Sequence, residues 1–209
     1  MSYLDEISEM LQKGRAKAVS ELVQKALDEG TAVEDIMNSL LSGMSVIGEK
    51  FKNNEVYVPE VLISARAMNT GMSILKPKLV DEGIAANGRA CIGTVKGDLH
   101  DIGKNLLKLM LESKNIEVID LGVDVAAETF INTAIEKECD FICCSALLTT
   151  TMGVMKEVVD AAQSAGIRDK VKIFIGGAPV DQSFCDNIGA DVYTSDAASA
   201  ADAAAALLK

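Results

Sequence analysis

From residue 89 onward, the sequence alternates between short apolar runs and longer stretches with helical periodicity. The apolar runs, which are of strand length and rich in β-branched residues, are ACIGTV, IEVIDL, DFICCSAL, VKIFIGG and DVYT. A helical stretch follows each of them. Strands that alternate with helices predict a parallel sheet with helices on both faces. A segment of about 120 residues favours five strands in the order 2-1-3-4-5 over a full dinucleotide-binding fold.

The sequence before this segment has no strand pattern. Apolar residues recur three and four positions apart through residues 1–80, which is the period of an α-helix. The sequence TAVE at Thr31–Glu34 predicts a capping box at the start of a third helix. Pro59 marks the start of a fourth helix that should end near Pro77, because proline favours the first helical position. Four helices joined by short loops predict a small bundle.

The helical pattern is lost in KLVDEGIAANG, at residues 78–88. We therefore expect a helical cap domain over residues 1–80, a linker over residues 81–88 and an α/β domain over residues 89–209. The linker is a reasonable hinge between the two domains.

The charge of the chain excludes some classes of partner. Lys and Arg number 20 against 31 Asp and Glu, a formal net charge of -11. Phosphate affinity depends on clustered cations, so this balance opposes nucleic acids and anionic membrane surfaces. There is no Trp and only 4% of residues are aromatic, which argues against a platform for stacking bases.

The sequence also indicates the cellular location of the protein. The apolar runs are too short and too often interrupted to span a bilayer, and the acidic, amphipathic N-terminus differs from a signal peptide. The five cysteines include no CxxC pair, and we expect them to be buried, reduced thiols. These features predict a cytoplasmic protein.

The loops at one edge of the predicted sheet carry the unusual residues. In a flavodoxin- or Rossmann-like sheet, ligands bind beyond the carboxyl ends of the strands, where the strand order reverses. The loops at that edge are KGDLHDIG after the first strand, SALLTTT (145–151) after the third and GGAPV (176–180) after the fourth. Three distant segments should therefore converge on one crevice.

His100 is the only histidine in the chain, and it lies in the first of these loops. A lone loop histidine is more often incidental than functional, but this one is placed at the ligand-binding edge. Asp98 is close enough to accept a hydrogen bond from one ring nitrogen and make the other a better metal ligand. Asp101 has a structural alternative, since it stands where the next helix needs an N-cap. Glycines that would allow close backbone approach are Gly103, Gly176 and Gly177.

Several ligand classes fit this loop poorly. The dinucleotide motif GxGxxG is absent, and GDLHDIGK has one residue too many for a P-loop and continues with Asn105 in place of Ser or Thr. A nucleophile such as Ser145 or Thr151 facing His100 is conceivable, but the GxSxG elbow is missing. The ligand class that remains is a metal bound by one imidazole, with its other ligands supplied by the group that carries it.

These residues resemble a known family. Residues 98–103 (DLHDIG) match the DxHxxG motif of cobalamin-binding domains, and SAL at residues 145–147 and GG at residues 176–177 match its SxL and GG motifs in order. The helical segment is similar to the cap domain that precedes this module in methionine synthase and in small corrinoid proteins of methyltransferase systems. The resemblance covers nearly the whole chain from about residue 10.

The resemblance implies a role for each matched residue. His100 would be the lower axial ligand of cobalt, Asp98 would bind its other ring nitrogen, and Thr151 takes the place of a serine that completes this relay. Further cofactor contacts are implied at Gly97, Leu99, Asp101, Ile102, Gly103, Ser145, Leu147, Thr149, Gly176, Gly177 and Ala197. Cap residues implied to cover the methyl-bearing face are Phe51, Val58, Val61 and Leu62, for which a place in the bundle core is the alternative.

The family further implies a methyl carrier rather than a complete enzyme. The cofactor would be cobalamin or a related corrinoid, cycling between Co(I) and methyl-Co(III). A substrate-specific methyltransferase would load the methyl group, and a second methyltransferase would pass it to coenzyme M or tetrahydrofolate. A reductive activating protein would be a third partner.

Three alternatives stay open. The small subunit of an adenosylcobalamin mutase shares DxHxxG but normally lacks the helical cap. A light- or cobalamin-sensing regulator would add a basic helix-turn-helix segment. A flavodoxin-like signalling domain would bind no corrinoid.

Overall fold

The computed structural model describes residues 2–208, in two compact units that meet in sequence between Ala86 and Asn87. The first unit contains helices only, as predicted. They are α1 (Tyr3–Gln12), α2 (Ala16–Asp28), α3 (Val33–Lys52) and α4 (Val58–Asp81).

The core of the helical unit is formed where α1 packs on α3 and α2 packs on α4. At Gly71 the helices are so close that an added Cβ would lie 3.0 Å from the methyl groups of Leu40. Fully buried side chains of this core include Ile7, Leu11, Val19, Ile36, Leu40 and Leu75. No helix within residues 2–208 combines the length and the apolar character needed to cross a bilayer.

One predicted capping box and one predicted helix end are wrong. The capping box at Thr31–Glu34 does not form, because α3 begins one residue after Ala32, whose side chain has no oxygen to cap it. Helix α4 continues through Pro77 to Asp81. Proline removes one backbone hydrogen bond from a helix, but the buried side chains of Leu75 and Leu79 hold α4 against the bundle on either side of it. Tertiary packing therefore outweighs the local signal.

The second unit is a five-stranded parallel sheet in the order β2-β1-β3-β4-β5, which confirms the predicted topology. Its strands are β1 (Gly88–Val95), β2 (Ile116–Val125), β3 (Phe141–Ser145), β4 (Lys172–Gly176) and β5 (Val192–Tyr193). Its helices are α5 (Ile102–Glu112), α6 (Ala127–Glu136), α7 (Gly153–Ser164), α8 (Gln182–Ile188) and α9 (Ala197–Leu207).

Helices cover both faces of the sheet. The neighbouring helices α6, α7 and α8 follow one another on one side, and α5 packs against α9 on the other. The core under α6 and α7 includes Cys91, Phe130, Ile142, Met155 and Val158.

All five cysteines are free and buried, which confirms that prediction. Cys143 and Cys144 are consecutive residues of β3. Burial raises the pKa of Cys143 to about 12 and raises the pKa of Cys144 further above its ordinary value. Both side chains are therefore neutral thiols at physiological pH.

The pairing of β1 with edge strand β2 is irregular at two points. Ile92 pairs with Asp120 and the next residue of β1, Gly93, pairs with Gly122, so β2 carries one extra residue there. A second extra residue lies between Gly122 and Val125, because Val95 pairs with Val125. Such bulges re-aim side chains and are common next to functional sites.

Phe130 provides a test of this packing. It is fully buried, and a Cβ added to Gly93 would lie 2.8 Å from its ring. We expect Phe130→Ala to lower the free energy of unfolding of the α/β unit by about 3–5 kcal/mol, because it leaves a cavity. Hydrogen exchange of the β3 amides would measure the loss. The matched control is Ile135→Ala in the same helix, where the side chain is 50% exposed, and equal losses in both variants would contradict this account of the core.

Candidate functional site

The three predicted loops meet at one edge of the sheet. The strands are parallel, so the loops after β1, β3 and β4 all lie at their carboxyl ends. The carboxylate of Asp98, in the first loop, accepts hydrogen bonds from the backbone of the second. The second loop is bonded in turn to the end of β4, where the N–H of Ala146 donates to the carbonyl of Gly176 at 3.1 Å. The convergence inferred from the sequence is therefore observed.

Asp98 is the centre of this arrangement, and its side chain has no exposed surface. Its Oδ2 accepts from the N–H groups of Leu147 at 2.7 Å and Leu148 at 3.1 Å. Its Oδ1 accepts from the backbone N–H of His100 at 3.1 Å. One buried carboxylate thus joins two loops that are about 50 residues apart in sequence.

The hydrogen bonds decide the ionisation of this carboxyl group. Burial by itself raises the pKa of Asp98, since it disfavours the charged form. The backbone N–H groups of His100 and Leu147, the His100 ring and the N–H of Leu148 outweigh burial and hold the pKa well below its ordinary value. Asp98 is therefore a carboxylate at every physiological pH.

The ring of His100 is oriented by this carboxylate. Its Nδ1 lies 2.7 Å from Oδ1 of Asp98, and the side chain is 53% exposed. Because a carboxylate only accepts hydrogen bonds, Nδ1 carries a proton, so in the neutral ring the lone pair is on Nε2. The hydroxyl of buried Thr94 donates to the carbonyl of His100 at 2.8 Å and holds the backbone as well. The site presents one fixed imidazole with a free basic nitrogen.

Thr151 also contacts Asp98, at the position that the family resemblance indicated. Its hydroxyl oxygen lies 3.1 Å from Oδ2 of Asp98 and 2.9 Å from the carbonyl of Leu148. The single hydroxyl proton is shared between these two acceptors. The side chain is buried, so the His100, Asp98 and Thr151 side chains form a continuous hydrogen-bonded series from the surface to the interior.

Asp101 occupies the N-cap position of α5, as predicted, but its side chain makes no capping bond to the backbone. Its carboxylate accepts instead from the side-chain amide of Asn105 at 3.0 Å. The sequence thus predicts the position of Asp101 correctly, but the expected capping hydrogen bond does not form.

The glycines of the site have two different roles. Gly177 has a φ of 131°, and a Cβ placed there would lie 1.8 Å from the carbonyl oxygen of Ala146, so only glycine allows the loops to approach. Around Gly103 and Gly176, by contrast, a Cβ would meet nothing within 4 Å. These two positions leave open space beside the loops.

The surface around His100 is apolar as well as open. The most exposed large hydrophobic residues in the α/β unit include Leu99 at 71% and Ile102 at 74%, on either side of His100 and Asp101. Leu147 and Leu148 are also exposed, at 43% and 41%. Four exposed leucine and isoleucine side chains beside one imidazole suit a broad, partly apolar ligand.

The side chains that could ligate a metal are a separate source of information about the ligand. Among residues 2–208, no three His, Cys, Asp or Glu side chains are arranged to hold a metal ion together. The imidazole of His100 can serve as one protein ligand to a metal whose other ligands come from the molecule that carries it. A corrin ring, which supplies four nitrogens, is a molecule of this kind.

The other predicted contacts in the α/β unit are spread around the same edge. Gly97 has a φ of 84° and opens the His100 loop. Ser145 is half-buried at the end of β3, and Thr149 is exposed in the loop that follows. Ala197 is the first residue of α9, directly after the Asp196 N-cap that follows β5.

The four predicted cap residues belong to the helical unit and differ in exposure. Phe51 and Val58 are half-buried, near the end of α3 and the start of α4. Val61 is fully buried in the bundle, whereas Leu62 is 45% exposed. The bundle-core alternative thus describes Val61, whereas Leu62 has exposed apolar surface.

Sequence reasoning missed Asp124, Thr94 and the backbone N–H groups of Leu147 and Leu148. Asp124 accepts a hydrogen bond from the N–H of Gly97 at 2.7 Å. No local pattern marks these groups, because each acts through a partner that only the folded sheet brings near.

Comparison with known proteins agrees with the site. Models of the B12 binding domain match residues 88–205 and, for a second domain type of the same description, residues 3–76. A corrinoid protein of Desulfitobacterium hafniense is 40% identical over 100% of this chain and 98% of its own length. A dimethylamine corrinoid protein of Methanosarcina barkeri is 39% identical over 98% of this chain and 97% of its own.

A solved structure shows the same architecture. The methanol:cobalamin methyltransferase complex MtaBC of Methanosarcina barkeri contains a chain that is 31% identical and superposes with a TM-score of 0.88. The match covers 99% of this chain and 79% of that one. The fold and the site thus define a B12-binding protein. The chain belongs to the B12-binding family and, within it, to the corrinoid proteins of methyltransferase systems.

The buried carboxylate makes stability depend on pH. We expect Asp98→Asn to lower the free energy of unfolding at pH 7 by about 2–4 kcal/mol, because the amide cannot accept all the bonds that the carboxylate accepts. The folded pKa of Asp98 is depressed, so its contribution is full above about pH 4 and declines as the pH falls toward the folded pKa.

Urea denaturation between pH 3 and pH 7 would measure this difference. Asp160→Asn is the control, since Asp160 is 61% exposed in an ion pair with Lys156. A gap between wild type and Asp98→Asn that did not change with pH would contradict the assignment.

Gly177 provides a second test. We expect Gly177→Ala to destabilise the α/β unit by about 3 kcal/mol or more, because overpacking and backbone strain each typically cost about 1–3 kcal/mol. Gly176→Ala, its neighbour in sequence, should stay within about 0.5 kcal/mol of wild type because its Cβ has open space. Thermal denaturation of both variants would measure the contrast, and equal stability would refute the close approach.

Proposed function

We propose that the protein is a corrinoid methyl carrier that works between two methyltransferases. The observation that carries the proposal is the imidazole of His100, fixed by buried Asp98 with Nε2 free at the open, apolar edge of the sheet. Family membership supplies the cofactor class, cobalamin or a related corrinoid. When bound, the cobalt supplies the centre that accepts a methyl group and gives it up.

His100 would be the residue that ligates the cobalt, through Nε2. Asp98 would keep the proton on Nδ1 and fix the orientation of the ring, as carboxylate partners of ligating histidines do. Thr151 stabilises the carboxylate from the interior side. The strength of the imidazole as a ligand would therefore be set by hydrogen bonds within this chain.

The remaining residues would hold the body of the cofactor. The open space beside Gly103 and Gly176 allows a bulky group to approach the backbone. Leu99, Ile102 and Leu147 would cover its apolar surface and exclude water. Contacts with the nucleotide tail are proposed for Ser145, Thr149, Gly177 and Ala197.

The partners follow from the carrier role. MtaBC of Methanosarcina barkeri is a methanol:cobalamin methyltransferase complex, and relatives of this chain include dimethylamine and trimethylamine corrinoid proteins. We propose that a substrate-specific methyltransferase loads this protein from a methylated compound. A second methyltransferase would transfer the group to coenzyme M or tetrahydrofolate, and a reductive protein would restore oxidised cofactor.

The ligand assignment is tested by electron paramagnetic resonance (EPR) of the Co(II) form. The protein reconstituted with cobalamin is expected to show splitting from one histidine nitrogen, and His100→Ala is expected to lose it. His100 is the only histidine, so growth with ¹⁵N-histidine must change the splitting pattern of the wild-type protein. A pattern unaffected by either change would contradict the assignment.

The carrier role has a separate test. Protein loaded with methylcobalamin should release its methyl group to coenzyme M or tetrahydrofolate when the appropriate methyltransferase is added. The control is the same mixture without that enzyme. Preferential binding of adenosylcobalamin, with no transfer to either acceptor, would favour the mutase-subunit alternative.

A further inference from the structure

We propose that Asp124 is a positioning residue for His100, holding the His100 loop from the side of strand β2. The proposal rests on the proposed role of His100 as the cobalt ligand. Asp124 lies at the carboxyl end of the edge strand, outside the DxHxxG, SxL and GG motifs.

Asp124 forms two hydrogen bonds with the backbone of the loop, one to Gly97 and one to Asp98. Its Oδ1 accepts from the backbone N–H of Gly97 at 2.7 Å. Its own backbone N–H donates to the carbonyl oxygen of Asp98 at 3.0 Å. Both bonds act on the backbone just before His100, so they fix where the loop stands relative to the sheet.

The backbone at Asp124 is built for this contact. Its φ is 56°, in the left-handed region that aspartate tolerates better than most residues. The second bulge of β2 lies between Gly122 and Val125 and contains Asp124. The irregular register thus turns the carboxylate toward Gly97, where regular pairing would have alternated side chains across the sheet.

This contact complements the bonds made by Asp98. The side chain of Asp98 ties the loop to the backbone after β3, which is one neighbour of β1. Asp124 ties the same loop to β2, the neighbour on the other side. The loop that carries His100 is therefore held from two directions, and removing Asp124 would free one side while the Asp98–His100 hydrogen bond remained possible.

Two substitutions separate the effect of the Asp124 side-chain acceptor from the effect of its left-handed backbone conformation. Asp124→Gly keeps the left-handed conformation and removes the acceptor. Asp124→Asn keeps an oxygen acceptor and also tolerates this conformation. The control is Glu117→Gln on the same strand, which removes a carboxylate that is paired with Arg89 at 2.8 Å near the opposite end.

The first measurement uses the protein without cofactor. Hydrogen exchange of the Gly97 amide should become at least about tenfold faster in Asp124→Gly, because that N–H loses its acceptor. Asp124→Asn and Glu117→Gln should stay close to wild type. Unchanged exchange in Asp124→Gly would overturn the proposal.

The second measurement uses Co(II) cobalamin. We expect Asp124→Gly to bind it roughly 10- to 100-fold more weakly, with a reduced fraction of histidine-split EPR signal, as for other residues that orient a metal ligand. Asp124→Asn should recover most of both. Wild-type affinity and wild-type splitting in Asp124→Gly would overturn the proposal. Failure of this variant to fold would overturn it as well, because the proposal assigns Asp124 to the position of the loop and not to the stability of the sheet.

The two proposals fail in distinguishable ways. Absence of histidine splitting in the wild-type protein would remove the ligand role of His100, whatever Asp124 does. Normal splitting in wild type, together with wild-type splitting and wild-type affinity in Asp124→Gly, would leave the ligand role intact and remove only the positioning role.

Discussion

The site depends on one interaction, the hydrogen bonding of backbone N–H groups to the ionised, buried carboxylate of Asp98. Left alone, such a charge would be strongly unfavourable, and it persists because N–H donors from two loops point at it. The strand order places β1 beside β3, so these donors are within reach of the first loop. The same atoms that neutralise the buried charge also orient the ring of His100. Stability and ligand geometry are therefore two results of one hydrogen-bond network.

Much of this could be predicted from the sequence. Alternating strands and helices gave the sheet and its order, because burial on two faces leaves only a few topologies for short parallel strands. The DxHxxG motif identified Asp98 and His100, which are two residues apart and interact locally. Thr151 was indicated only by family resemblance, and the structure places its hydroxyl against Asp98.

What the sequence could not supply are contacts that depend on register. Asp124 reaches Gly97 only because β2 contains a bulge. A glycine inside a strand, such as Gly122, is typical of a bulge, but it does not define which side chain the bulge turns toward the loop. Pro77 predicts too early an end for α4, because the packing of Leu75 and Leu79 in the bundle is not visible in the sequence. The failed capping box at Thr31 has the same origin, since the backbone of the folded chain starts α3 after Ala32.

The cysteines of β3 have a further consequence for a protein that carries a reactive one-carbon group. Cys143 and Cys144 directly precede Ser145 at the edge where the cofactor would bind, yet both are buried and protonated. Alkylation requires a thiolate with access to the electrophile, and these side chains have neither. In the proposed carrier role, these two thiols would therefore not compete with an external acceptor for the methyl group.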